Sequence, residues 1–175
     1  LTLNRPERKN ALGPADWQAL GSFLQEIADN KAIRALLLQG AGGAFSSGGD
    51  LRSMPERLEW PAAVREQQLR SDGQVVANLF ALEIPTIAAI EGPCLGAGLA
   101  LALACDLRIA TTSASFGAVF HRVGLSADFG LSFLLPHAVG QSRASELLLT
   151  AEVCNATRTQ EIGMVHRVVA PAKLH

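Results

Sequence analysis

The stretch from Ile90 to Ala100 combines small residues with a change from strand to helix, a combination suited to chemistry on a carbonyl group. An apolar strand is predicted over Thr86 to Ile90, a Gly/Pro turn follows, and an apolar helix is predicted over Leu99 to Ala104. Small residues at 96–98 allow close approach to the backbone, and a helix start offers N–H groups without intrahelical partners. Donors aimed at one point stabilise a carbonyl oxygen as it gains negative charge. Ala100 carries no acid or base, so the proton chemistry must come from elsewhere.

A second glycine turn, Gly48-Gly49-Asp50, offers the same kind of backbone donors. Each turn also has a purely structural interpretation. Asp50 can be the N-cap of a helix that starts near Leu51, and Gly96-Ala97-Gly98 can allow a helix to pack closely on a strand. Neither turn has the Lys-Ser/Thr pair of a P-loop or the full dinucleotide fingerprint, so a phosphate-cradling loop is not expected. The residues alone leave the packing and oxyanion interpretations open.

Asp128 is a candidate for an acid or base. It lies in a short segment that also contains Ser126, Ala127 and Gly130, just before an apolar run that starts at Leu131, so it can face an apolar pocket. The alternative is that Asp128 caps a helix beginning near Phe129. Glu91, at a strand end, and His121 are weaker candidates.

Strands alternate with helices along the chain, which predicts an α/β fold. Strand 86–91, helix 96–104 and strand Leu107–Ala110 are expected to form a right-handed crossover unit. The remaining predicted strands are 33–39 and 165–169. The remaining predicted helical segments are 16–30, 53–74, 75–82, 131–139, 142–149 and 159–162, with a turn-rich stretch over 117–130.

Composition excludes several function classes. The 175 residues predict one domain over 1–175, and a net charge of −1 gives no electrostatic reason to expect nucleic acid or a membrane as partner. No apolar run reaches the length of a membrane span. No metal site is expected, because these histidines lack metal-ligand spacing: His137, His166 and His175. Three unclustered cysteines predict buried free thiols in a reducing compartment, and hence a cytoplasmic protein: Cys94, Cys105 and Cys154.

Several segments, taken together, resemble consecutive motifs of the enoyl-CoA hydratase/isomerase (crotonase) superfamily. They occur in the expected order and spacing over essentially the whole chain. These segments are Asn4-Arg5-Pro6-Glu7-Arg8-Lys9-Asn10-Ala11-Leu12, Ala44-Phe45-Ser46-Ser47-Gly48-Gly49-Asp50-Leu51, Gly92-Pro93-Cys94-Leu95-Gly96-Ala97-Gly98, Cys105-Asp106-Leu107-Arg108-Ile109-Ala110, Ala114-Ser115-Phe116-Gly117 and Gly163-Met164-Val165-His166-Arg167-Val168-Val169.

The resemblance implies a crotonase spiral of ββα units around a site for acyl-CoA thioesters. In that site, two backbone N–H groups hold the thioester carbonyl and stabilise the enolate formed when a proton is lost. Carried over by position, the donors are Gly49 and Ala97. Many relatives have glycine at the second position, and alanine keeps the N–H provided that the backbone does not need a positive φ.

The same resemblance separates hydration from isomerisation. Hydratases of the family would have glutamates at 100 and 120, where this chain has Ala100 and Phe120. The segment around Asp128 instead resembles ring-opening epoxyphenylacetyl-CoA isomerases and related enoyl-CoA isomerases, in which an aspartate at this place is the acid/base. An enoyl-CoA isomerase is therefore expected. The alternatives are a hydratase with atypical acid placement, a dehalogenase-type enzyme with Asp128 as nucleophile, and a non-catalytic acyl-CoA-binding protein.

Substrate contacts are expected from the backbone near Asn10-Ala11 and from the second glycine turn, with Arg8, Lys9 and Arg52 as phosphate contacts. The predicted binding set is Arg8, Ala11, Ser47, Asp50, Leu51, Phe120 and Phe129. Further candidates to line the acyl pocket are Met54, Phe80 and Phe133. No tightly bound cofactor is expected, since coenzyme A enters as part of the substrate. The resemblance also implies a homotrimer or homohexamer built by C-terminal helices, which are expected to lie beyond the segment that ends at 175.

Overall fold

Eight strands and seven helices are distributed over residues 1–174, the part of the chain that the computed structural model describes. The strands are β1 (Thr2–Leu3), β2 (Leu36–Gly40), β3 (Thr86–Ile90), β4 (Pro93–Leu95), β5 (Leu107–Thr111), β6 (Ser115–Gly117), β7 (Val153–Asn155) and β8 (Arg167–Val169). The helices are α1 (Pro14–Asp29), α2 (Met54–Leu58), α3 (Ala62–Phe80), α4 (Ala97–Ala104), α5 (Leu131–Val139), α6 (Gln141–Thr150) and α7 (Ala156–Glu161). Short 3₁₀ turns cover Pro6–Arg8, Leu51–Ser53, Val119–Val123 and Pro171–Lys173.

The larger sheet is entirely parallel, with strand order β1-β2-β3-β5-β8. Its centre contains the predicted crossover, because β3 pairs with β5 in register from Ile87 with Leu107 to Ile90 with Ala110, and α4 connects them. All eight residues of α4 are buried, as expected for a helix whose sequence is apolar on every side. The first turn of α4 is therefore fixed inside the core.

A second, three-stranded sheet has the order β4-β6-β7. Sequence patterning missed it, and the prediction of Pro93–Leu95 as part of a turn is wrong. Three-residue strands are too short for an alternating pattern to be recognised. The chain leaves β3 at Gly92, where φ is +59° and an added Cβ would lie 2.1 Å from the Gly43 carbonyl oxygen. The pairs β3 and β4 before α4, and β5 and β6 before α5, each place one strand in each sheet, which agrees with the expected ββα units.

The helical predictions are confirmed in position and corrected in extent. Segments 53–74 and 75–82 do not divide at 75: α2 ends at Leu58, Pro61 is the N-cap of α3, and α3 continues unbroken to Phe80. The last predicted helix starts earlier than expected, at Ala156, because the side chain of Asn155 accepts a hydrogen bond from the Arg158 N–H at 2.8 Å.

Other composition-based expectations concern buried groups and membranes. All three cysteines are buried and free, as predicted. Among residues 1–174, no helix combines the length and the apolar character needed to cross a bilayer. Within the same range, no group of three or more His, Cys, Asp or Glu side chains is placed to hold a metal ion. His175, named above among the histidines, lies outside the described residues.

Candidate active site

The two glycine turns lie directly against each other. The Ser46 N–H donates to the Pro93 carbonyl at 2.9 Å, and the Leu95 N–H donates to the Ser46 carbonyl at the same distance. A Cβ on Gly98 would lie 2.7 Å from the Ser46 Cβ, so glycine is required for this packing. A Cβ on Gly48 would lie 2.8 Å from the Leu95 carbonyl oxygen and 3.4 Å from the Ala97 nitrogen. The packing interpretation of the glycines is therefore correct, and the packing itself brings the two candidate donors together.

The amide of Gly49 is left without a partner by its neighbours' hydrogen bonds. The Leu12 N–H donates to the Gly48 carbonyl at 2.8 Å, and the Asp50 N–H donates to the Leu12 carbonyl at 3.0 Å. The β-bridge between Leu12 and Gly49 thus occupies the Gly48 carbonyl and the Asp50 N–H, but not the N–H of Gly49. Within residues 1–174, that N–H has no hydrogen-bond acceptor.

Ala97 is the first residue of α4, and its N–H also has no acceptor in the described chain. Gly96 has the unusual backbone angles, with φ of 52° and ψ of −120°, and its own N–H donates to the Gly117 carbonyl at 2.9 Å. Ala97 itself does not take a positive φ. The condition under which alanine can serve as donor at this place is therefore met. Such N–H groups at a helix start favour negative charge.

A mainly apolar cavity of about 250 Å³ opens in front of these two amides. Ten of its lining residues are Trp17, Ser47, Gly49, Asp50, Leu51, Met54, Ala97, Phe120, Asp128 and Phe129. Two amide donors and a carboxylate thus share one cavity, which is the minimum set for moving a proton next to a polarised carbonyl.

The carboxyl group of Asp128 is partly buried in this cavity and has no hydrogen-bond or ion-pair partner among residues 1–174. Burial raises its pKa above the ordinary aspartate value. The interpretation of Asp128 as a helix cap is wrong. The following helix begins at Leu131 with Gly130 as N-cap, and only the backbone carbonyl of Asp128 accepts the Leu131 N–H, at 3.0 Å.

Phe129 and Trp17 hold the segment that carries Asp128. Phe129 has a φ of 56°, a left-handed conformation that is uncommon for an aromatic residue. Its ring stacks on the buried indole of Trp17, with centroids 4.7 Å apart and planes at 14°. A strained backbone conformation persists where the surrounding contacts enforce it. We infer that the stack with Trp17 enforces the conformation of Phe129 and thereby orients Asp128.

The predicted binding residues divide into two groups. Those that line the cavity are Ser47, Asp50, Leu51, Phe120 and Phe129, together with Met54. Arg8 and Ala11 lie outside its lining. The Arg8 carbonyl accepts a hydrogen bond from the hydroxyl of Ser47, next to the second glycine turn, at 3.3 Å, and the Ala11 carbonyl accepts one from the Arg5 guanidinium at 3.0 Å.

Several other candidates lie elsewhere. Phe80 and Phe133 are more than half exposed and contact each other edge to face, with centroids 6.1 Å apart. Glu91 and His121 are not part of the cavity lining. In the described chain, Asp50 and Asp128 are the lining carboxylates.

Asp50 is already engaged, so its prediction as an N-cap is confirmed. Its side chain accepts the Arg52 N–H at 3.2 Å and an Arg5 N–H at 3.3 Å. Arg5 also pairs with Asp16 at 2.5 Å, and together these contacts raise the pKa of Arg5. Ala100 is fully buried and Phe120 is apolar, which leaves Asp128 as the lining carboxylate without a partner.

The family model for enoyl-CoA hydratase/isomerase matches residues 1–175. The chain belongs to this family. It is 42% identical over 181 residues to the probable enoyl-CoA hydratase echA12 of Mycobacterium bovis, covering 99% of this chain and 63% of that protein. It is also 39% identical to the (E)-benzylidenesuccinyl-CoA hydratase of Thauera aromatica, covering 99% of this chain and 67% of the relative.

Solved structures of the enoyl-CoA hydratase/isomerase family confirm the predicted fold class. The enoyl-CoA hydratase from Bacillus anthracis superposes with a TM-score of 0.91 at 34% identity, covering 99% of this chain and 66% of that one. An enoyl-CoA hydratase/isomerase from Xanthobacter autotrophicus Py2 gives 0.92 at 39% identity, with 99% and 64% covered. The chain thus spans about two thirds of the length of the family members that it matches.

The lining residues that sequence reasoning missed include Trp17, Arg57 and Arg65. In the sequence, Trp17 could be recognised only as an apolar position of helix α1, and its spacing did not indicate that its ring would contact Phe129. Arg57 and Arg65 belong to the charged segment predicted as helical, where solvated arginines are common.

Proposed function

We propose that this protein is an acyl-CoA enzyme that moves the double bond of an enoyl-CoA through proton transfer by Asp128. One observation carries the proposal: Asp128 is a lining carboxylate without a partner in the described residues, in the same cavity as the free N–H groups of Gly49 and Ala97.

The two amides would bind the thioester oxygen as it becomes negative. Removing a proton next to a thioester places negative charge on that oxygen, and two fixed donors stabilise it without reorganisation. Mutational removal of one such donor costs roughly 10²–10³ in kcat in enzymes of this kind. Gly49 is exposed while Ala97 is buried, so the oxygen would enter from the open side of the cavity.

Asp128 would move the proton in two steps. Its carboxylate takes a proton from C2 of a 3-enoyl thioester, which breaks the C2–H bond and gives a dienolate. The resulting carboxylic acid then donates a proton to C4, forming a C4–H bond and a 2-enoyl thioester. The composition of the substrate does not change, and no second acid or base is needed.

Burial supports this double role. An ordinary aspartic acid is a weak base, and raising its pKa brings it closer to the working pH. The absence of an ion-pair partner for Asp128 within residues 1–174 leaves this effect uncompensated.

Hydration is the second candidate, because the relatives from Mycobacterium bovis and Thauera aromatica and a crotonyl-CoA hydratase from Syntrophomonas wolfei, 36% identical to this chain, are named hydratases. Hydration requires a held water to be activated while a proton reaches carbon, a task suited to two acid/base groups. Ala100 and Phe120 supply neither. Hydration would then have to proceed with Asp128 as the single acid/base.

The deciding experiment is a panel of 2-enoyl-CoA and 3-enoyl-CoA thioesters assayed for hydration and for isomerisation. We expect isomerisation by the wild type and its loss in Asp128→Asn, with thioester binding retained. Glu91→Gln is the matched control, since Glu91 lies close to the same turn but does not line the cavity. Hydration with no isomerisation would contradict the proposal, as would full activity of Asp128→Asn.

Two further outcomes separate the remaining alternatives. A covalent acyl-enzyme at Asp128, trapped and seen by mass spectrometry, would indicate a nucleophile of the dehalogenase type. Thioester binding without exchange of substrate protons would indicate a non-catalytic binding protein.

Coenzyme A is proposed to enter as part of the substrate, with no tightly bound cofactor. The assembly is proposed as a homotrimer or homohexamer, which sedimentation measures.

A further inference from the structure

Two arginines are among the residues that line an otherwise mainly apolar part of the cavity. Arg57 comes from α2 and Arg65 from α3, and their neighbours in the lining include Leu58, Leu69 and Met54. These two arginines have no role in the proton transfer proposed above. Arg65 is exposed and Arg57 is partly exposed, so both keep part of their hydration, but a neutral apolar acyl chain would offer neither of them a partner.

Arg57 is held in place while keeping donors free. Its ion pair with Asp72 is long, at 3.4 Å, and Asp72 is 1% exposed and already accepts a shorter hydrogen bond from Gln68, at 2.7 Å. Its guanidinium carbon also lies 5.8 Å from the centre of the Trp60 ring. An arginine has five N–H donors, so one long contact leaves most of them available.

Arg65 is less engaged than Arg57. Its side chain donates a 3.4 Å hydrogen bond to the Leu58 carbonyl, which ties it back towards α2. Neither arginine forms an ion pair with Asp128 in the described chain. Asp50 is already paired with Arg5. Within the described chain, Arg65 has no ion-pair partner, and the partner of Arg57, Asp72, does not line the cavity.

We propose that the acyl group bound in this cavity carries a carboxylate at its end away from the thioester, and that Arg57 and Arg65 bind this carboxylate. This inference rests on the proposed function, because it takes an acyl thioester as the ligand. A guanidinium matches a carboxylate with two parallel hydrogen bonds, which gives geometric selection as well as charge. The substrate class is thus the monothioesters of enoic diacids, in preference to simple fatty acyl thioesters.

The test measures equilibrium binding of saturated, unreactive thioesters by calorimetry. Succinyl-, adipoyl- and suberoyl-CoA are compared with butyryl-, hexanoyl- and octanoyl-CoA, so that three chain lengths are covered. We expect at least one diacid thioester to bind about tenfold tighter than its neutral partner, in line with hydrogen bonds to charged groups. In Arg65→Leu and in Arg57→Gln this ratio should fall towards one.

Arg70→Leu is the matched control. Arg70 lies on the same helix α3, pairs with Glu66 at 2.8 Å and does not line the cavity, so it should keep the wild-type ratio. A ratio near one at all three lengths would overturn the inference, and so would a ratio that both cavity variants retain. Equal weakening of diacid, neutral and free CoA would identify the arginines as contacts of the CoA phosphates and also overturn it.

The binding ratio is independent of turnover, so the two proposals fail separately. Selective binding without isomerisation would contradict the proposed function and leave the diacid inference intact. Isomerisation without selective binding would contradict the diacid inference alone.

Discussion

Gly48→Ala should separate the two proposed oxyanion donors without removing any functional side chain. Gly48 has a φ of +96°, and an added Cβ would lie 2.8 Å from the Leu95 carbonyl oxygen and 3.4 Å from the Ala97 nitrogen. Both are backbone atoms, so no side-chain rotation relieves the contact. The turn that carries Gly49 must therefore move away from the start of α4.

The substitution should lower both the stability of the protein and its kcat. A non-glycine residue in such a conformation costs about 1–3 kcal/mol. For a chain of this size, each kcal/mol lowers Tm by about 2–4 °C, so we expect a decrease of roughly 2–12 °C. Misalignment of one donor should lower kcat by about 10²–10³, the effect of removing such a donor.

The assay is enoyl-CoA isomerisation, with Tm and circular dichroism as checks on folding. Gly140→Ala is the matched control, since Gly140 also has a positive φ, +81°, but an added Cβ would meet nothing within 4 Å. Backbone strain should lower the Tm of this variant by a similar amount. Its kcat should stay within about twofold of the wild-type value, because the added Cβ displaces no neighbouring atom. A folded Gly48→Ala enzyme with wild-type kcat would refute the reasoning, as would an equal loss of kcat in Gly140→Ala.

Three further predictions concern the same site. Because burial raises the pKa of Asp128, the folded protein binds more protons than the unfolded chain between the ordinary carboxyl pKa and the raised one, and its stability falls as pH rises through that window. Asp128→Asn should therefore have a higher Tm than the wild type at pH 7, with the difference disappearing in acid below the ordinary pKa of about 4; a lower Tm at pH 7 would contradict this. Ala97→Pro should remove one donor at a helix position that tolerates proline, lowering kcat by about 10²–10³ in a protein that circular dichroism shows to be folded; unchanged turnover would exclude Ala97 as a donor. Trp17→Leu should lower the free energy of unfolding by a few kcal/mol through lost core packing and also lower kcat, because the ring that stacks on Phe129 is gone; a stability loss with unchanged kcat would show that the stack does not orient Asp128.

The sequence was informative where a residue type leaves few structural options. Residues 96–98 could be recognised as a place of close backbone approach, and the structure places Ser46 against Gly98. The fully apolar helix after Gly98 could be predicted as buried, because such a sequence has no face for solvent.

Tertiary contacts between distant segments could not be predicted in the same way. The strands β4, β6 and β7 have three residues each, so their pairing depends on partners far along the chain. The stack of Trp17 on Phe129 joins residues that are separated by most of the chain. Arg57 and Arg65 resemble ordinary surface arginines until α2 and α3 bring both to the cavity.

The most direct test of the central claim follows the proton itself. A 3-enoyl-CoA labelled with deuterium at C2 is converted in ordinary water, and the early product is analysed for deuterium at C4. If Asp128 takes and returns the proton, the wild-type product should carry deuterium at C4, and Asp128→Asn should neither transfer the label nor turn over the substrate. Product formed by Asp128→Asn at the wild-type rate, with the same label at C4, would contradict the account.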